Sequence, residues 1–117
     1  MESLVMAKKN RSSLFAFYET QEGIYKINTI KNSLNSNSIE SFQEIFATVA
    51  KTNLQTIIGT EFYAFSKKIA DPGRFTLQDI DAMSNFFKVD FEIMFRFVRK
   101  NMIAAQKRKP KKGKLKI

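Results

Sequence analysis

The chain has 117 residues, 44% of them hydrophobic, which is enough for one buried core and too few for two independent domains. It contains no Cys and no His, so a disulfide framework, a thiolate nucleophile, the usual general base and the commonest metal ligand are all excluded. The formal net charge is +9, and its placement along the chain says more than its size.

Ten of the 20 basic residues lie in residues 96–117, where there is no acid; the rest of the chain sets ten basic residues against all 11 acidic ones, a net of −1. The positive field is concentrated in KRKPKKGKLKI, residues 107–117, where Pro110 and Gly113 discourage a helix. A disordered or mobile basic tail is expected there, with Lys107, Arg108, Lys109, Lys111, Lys112, Lys114 and Lys116 as its charges. Two uses are open to it: a solubilising terminus, or a hold on phosphate or another anionic surface.

In chain order, residues 1–12 show no sustained periodicity. LFAFYETQEGIYKINTI alternates aromatics around TQEG as a hairpin would, whereas Ile27, Ile30 and Leu34 stand at helical spacing; a strand or arm followed by a short helix is expected. NSLNSNS, rich in Asn and Ser, reads as a connection that closes an N-terminal arm at residues 1–38.

A helical domain is expected over residues 39–106. In SIESFQEIFATV, Phe42, Ile45, Phe46 and Val49 form one apolar helical face. KTNLQTIIG follows, with Thr52 as N-cap, Gln55 completing a capping box, Gly59 as the stop, and Leu54, Ile57 and Ile58 inward. Thr60 caps a third helix at residues 61–69, which ADPG ends because Pro72 lacks an N–H and disfavours helix at the residue before it. Thr76 caps a fourth, with Asp79 near its positive end and Leu77, Ile80, Met83 and Phe87 toward the core. Asp90 caps a fifth, reaching to about Gln106. The pattern predicts an all-α bundle of five short helices.

The stretch from Ser41 to Val98 resembles the lambda-repressor-like helix-turn-helix domain of Cro and xenobiotic-response-element type regulators, in particular small bacterial ones. The resemblance is carried by KTNLQTIIG, with Gly59 at the turn, by Phe65 and Ile69 on the third helix, by the FTLQDI restart, and by Leu77, Ile80, Met83, Ser84, Phe87, Val89 and Met94. Gln55 and Thr60 stand where that family usually has a small and an aliphatic residue. It implies a five-helix lambda-repressor-like bundle whose third helix enters the major groove of double-stranded DNA.

At about 100° per residue, Phe62, Phe65 and Ile69 of that helix share one arc, which leaves Tyr63, Ala64, Ser66 and Lys67 on the other side. In the docking the resemblance implies, Tyr63 and Ala64 meet bases or thymine methyls, and Lys67 and Lys68 meet phosphate or guanine. Thr52 and Asn53 position the backbone, Thr60 opens the third helix, and Arg74 adds a phosphate contact. The local charge argues otherwise: residues 39–95 hold five basic and eight acidic residues, a net of −3, with Glu61 at the start of the third helix. The tail is therefore expected to supply much of the attraction.

On the fifth helix, Phe91, Met94, Phe95, Val98 and Met102 form one apolar face, while Ile93 and Phe97 lie roughly opposite. The second face is a candidate for the arm, a homodimer partner or another protein. An enzyme is not expected, since Asp79 and Asp81 are two apart on a helix and no nucleophile–base pair stands out. No cofactor, metal or membrane partner is implied, and no apolar run is long enough to span a bilayer. The expectation is a cytoplasmic, nucleoid-associated DNA-binding transcriptional regulator. The alternatives are a protein-interaction module that has lost base reading, or a non-specific nucleic-acid binder acting through its tail.

Overall fold

A computed structural model of the protein describes residues 11–108, and these form seven α-helices and one 3-10 turn, with no strand among them. In chain order they are α1 (Arg11–Phe17), α2 (Gln21–Asn35), α3 (Phe42–Phe46), α4 (Lys51–Ile58), α5 (Phe62–Ala70), the turn Pro72–Arg74, α6 (Leu77–Phe87) and α7 (Phe91–Arg108). Five helices follow residue 39, and two more occupy the segment expected to hold a strand or arm followed by one short helix.

That difference has a local cause. TQEG is a helix start and not a hairpin turn: Thr20 sits in extended conformation as N-cap of α2, and its hydroxyl accepts from the Gly23 N–H at 3.1 Å. Gly23 serves close packing, because a Cβ there would collide with the Phe17 carbonyl oxygen and Tyr18 Cα. The helical spacing of Ile27, Ile30 and Leu34 then runs on for 15 residues. The Asn/Ser-rich stretch closes α2 as a Schellman motif: Asn37 takes φ 58°, Ser38 N–H donates to Ser33 O, and Asn37 N–H donates to Leu34 O.

The N-terminal helices share the core of the rest. Leu14, Tyr18, Ile27, Ile30 and Leu34 are buried in one cluster with Leu54, Met83, Phe87 and Met94. Phe86, which had no assigned role, is buried edge-on against Tyr18 at 5.1 Å between ring centroids. Arg11 seals the contact of α1 with α4, donating from Nη2 to the Ile57 carbonyl at 2.8 Å, near the negative end of α4.

A second, aromatic sector holds the helices that follow. Phe42 of α3 stacks on Phe75 (5.4 Å) and meets Phe97 of α7 edge-on (5.0 Å), and Phe75 in turn meets Phe65 of α5 (6.2 Å). Such ring pairs stabilise beyond the area they bury by about 0.5–1.5 kcal/mol each, and together they fix the position of α5.

Several expected inward and outward assignments are corrected. Leu77, expected in the core, is 67% exposed at the first residue of α6, while Ile80, Met83, Ser84, Phe86 and Phe87 are buried. On α7 the buried face is Met94, Phe97, Val98 and Ala105, with Ile93 packed against its edge; Phe91 and Phe95 face outward. The buried arc is thus turned by less than the roughly 100° that one residue subtends. That small turn places Phe97 inside and makes Ile93 and Phe97 no free partner face.

Candidate nucleic-acid interface

Two helices joined by a short turn frame the candidate surface. Gly59 ends α4 in the left-handed conformation, φ 87°, its N–H donating to the Gln55 carbonyl, and α5 begins at Phe62. The expected capping box at Thr52 is absent: α4 starts at Lys51 after Ala50, so Thr52 lies within the first turn. Gln55 instead donates from Nε2 to the Thr60 carbonyl at 2.8 Å and braces the turn from inside. Thr60 is not the cap of α5 either; Glu61 holds that position in extended conformation, with no side-chain capping bond. The Glu61 carboxylate therefore stands exposed beside the free N–H groups of α5.

The inward arc of α5 runs through Ala64, Phe65, Lys68 and Ile69, with Phe65 fully buried. This corrects the expected placement of Phe62: it falls to the rim of that arc at the first helical residue and is 48% exposed. The outward arc consists of Phe62, Tyr63, Lys67 and Ala70, with Ser66 partly covered between them. Each ring carries a lysine: Lys51 Nζ lies 5.0 Å from the Phe62 centroid and Lys67 Nζ 4.9 Å from that of Tyr63. Lys51 joins the candidate surface, and helix phase alone could not find it, because it lies on a different helix from its ring.

The other candidates divide. Lys68 is turned inward, its Nζ 2.6 Å from Asp79 Oδ2, so it ties α5 to α6 and does not face a partner. Asn53 is engaged as well, its Nδ2 donating to the Tyr18 hydroxyl at 3.1 Å, beside a cavity of about 340 Å³ lined in part by Leu14, Phe17, Glu22 and Lys26. Arg74 pairs with Asp71 at 3.5 Å but remains exposed at the end of the 3-10 turn. Tyr63 and Lys67 lie exposed together on α5 with Ser66 beside them and Thr60 just before the helix, whereas Ala64, expected to face outward, is turned to the inward arc beside Phe65 and Lys68. Lys107 and Arg108 form the last turn of α7 rather than the start of a tail. Lys109, Lys111, Lys112, Lys114 and Lys116 lie outside the described residues.

Among the described residues no group of three acidic side chains is placed to hold a metal ion, and no helix is long and apolar enough to cross a membrane. No protein-family model, curated protein or solved structure matches the chain.

Proposed function

We propose that the protein is a DNA-binding transcriptional regulator with a lambda-repressor-like arrangement, in which α4 and α5 act as the helix-turn-helix pair and α5 enters the major groove. One observation carries this reading. The three-residue connection through left-handed Gly59 sets α5 against the core by Phe65 alone among its fully buried residues, and leaves an outward face bearing Tyr63 and Lys67 exposed. Thr52, in the first turn of α4, and Arg74 flank that face as phosphate contacts, and the basic residues from Lys107 onward add longer-range attraction.

A second reading, a protein-interaction module on the same fold, is favoured by α7. Phe91 and Phe95 stack on each other at 6.1 Å with 37% and 40% of their surface exposed. Selection of the full chain, and of a chain ending at Gln106, against random duplexes over a range of salt separates the readings. A shared, two-fold symmetric site enriched by both chains supports the regulator. Binding that vanishes with the tail and never discriminates sequence supports a non-specific binder. A folded chain that enriches no duplex but forms a discrete oligomer supports the interaction module.

A further inference from the structure

The side chains that recognise guanine and adenine by paired hydrogen bonds are Arg, Lys, Asn and Gln. The sequence of α5, FYAFSKKIA, contains no Arg, Asn or Gln. Of its two lysines, Lys68 is bound to Asp79 at 2.6 Å, and Lys67 lies over the ring of Tyr63. What the helix presents at its N-terminal turn, the part that reaches base edges in a helix-turn-helix docking, is instead a pair of aromatic rings, 48% and 67% exposed, each with an ammonium over it. A face of this kind suits one feature of the major groove, the C5-methyl of thymine, which is its apolar group; the lysines beside the rings match the flanking phosphates in charge.

We infer that the protein recognises thymine-rich duplex DNA by apolar contact of Phe62 and Tyr63 with thymine methyl groups, and not by hydrogen-bonded readout of purines. This rests on the reading of α5 as the helix in the major groove. Lys51 and Lys67, which lie over the rings, place positive charge toward phosphate on either side, and Glu61 at the head of α5 disfavours any base step that would bring a phosphate against it. Tyr63 projects from the surface and Phe62 is half-exposed at the rim of the buried arc, so removal of either ring leaves the fold intact.

The test uses the full chain. A site enriched from random duplexes is resynthesised with each thymine replaced in turn by uracil, which deletes the methyl and keeps every hydrogen-bonding group. Replacement under a ring is expected to weaken binding about fourfold, the worth of one buried methyl. Phe62→Ala or Tyr63→Ala is expected to erase the thymine–uracil difference at the position its ring covers. If uracil-containing sites bind as tightly as thymine sites with sequence selectivity retained, methyl readout is overturned while DNA recognition by α5 stands. If the chain, shown to be helical by circular dichroism, enriches no duplex, the regulator reading itself fails.

Discussion

The ammonium of Lys68 and the carboxylate of Asp79 meet at 2.6 Å, with only 19% and 12% of the two side chains exposed. The same Asp79 oxygen accepts from the Thr76 N–H at 2.9 Å, and the Thr76 hydroxyl accepts from the Asp79 N–H at 3.0 Å. One carboxylate thus closes the capping box of α6 and anchors α5. Lys68→Ala is expected to cost about 1–3 kcal/mol, because a partly buried carboxylate loses its counter-charge, and Asp79→Ala about 2–4 kcal/mol, because the cap goes too. Urea denaturation of both single variants and the double variant checks this. The double variant should fall well short of the sum, and additive losses would show that the two side chains act independently.

Three helix ends use the left-handed conformation, at Asn37, Gly59 and Lys88, and the contrast between the last two is measurable. Gly59 has φ 87° and open space around the position of a Cβ, so Gly59→Ala introduces backbone strain without collision, about 1–2 kcal/mol. Lys88 has φ 59° and ends α6 in a Schellman motif, Val89 N–H donating to Ser84 O, with its own side chain exposed. Lys88→Gly relieves that strain and should raise stability by up to about 1 kcal/mol, even after the added entropy of the unfolded glycine. Thermal melts should move in opposite directions for the two variants.

The readable parts of the sequence were those where a chemical stop or start coincided with apolar spacing. Thr76 with Asp79, Gly59, Pro72 and the Ile45–Val49 face all act where their chemistry places them. What failed was helix phase, and the reasons are physical. The 100° rotation per residue leaves a short helix free to turn by part of a residue, and only its neighbours decide the angle. Lys68 draws α5 round toward Asp79 and leaves Phe62 at the rim; Phe42 draws Phe97 inward and leaves Phe95 out. Pairs such as Lys51 with Phe62, or Asn53 with Tyr18, join segments distant along the chain or on different elements and have no signature in local spacing. The adjacent Phe86 and Phe87 did carry a signal for the N-terminal helices, since neighbouring residues point about 100° apart and two large rings so placed call for cover on two sides. The candidate site was accordingly half legible: Tyr63 and Lys67 face outward as expected, whereas Lys68 and Asn53 are internal fastenings.

Paired substitutions test these corrected faces directly. Phe65, with no exposed surface, and Phe97, 4% exposed, should each cost about 3–5 kcal/mol when changed to Ala, through lost burial and the cavity left behind. Phe62→Ala and Phe95→Ala remove rings that are 48% and 40% exposed and should cost about 1 kcal/mol or less. Denaturant midpoints of the four variants decide the matter. If Phe95→Ala proved as damaging as Phe97→Ala at low protein concentration, the assigned rotation of α7 would be wrong; damage that appears only at high protein concentration and vanishes on dilution would instead place Phe95 in a subunit contact.

The basic C-terminal residues can be tested by salt dependence, because a role in DNA binding would have a numerical signature. Residues 39–95 carry a net charge of −3, so attraction to a polyanion must come largely from elsewhere in the chain. Seven basic residues lie from Lys107 onward, two of them in the last turn of α7. Each phosphate neutralised releases counterions and steepens the fall of log K with log salt concentration by about 0.9, so ending the chain at Gln106 should flatten the slope by up to about 6. Lys67→Ala should change it by about 1 or less, yet should cost more at the preferred site than at random sequence, since that side chain lies over the ring of Tyr63, which the proposed docking turns toward the bases. Fluorescence anisotropy titrations from low to physiological salt measure both quantities. A slope unchanged by the truncation would mean that the attraction arises on the residues before Lys107, in spite of the acidic balance of residues 39–95.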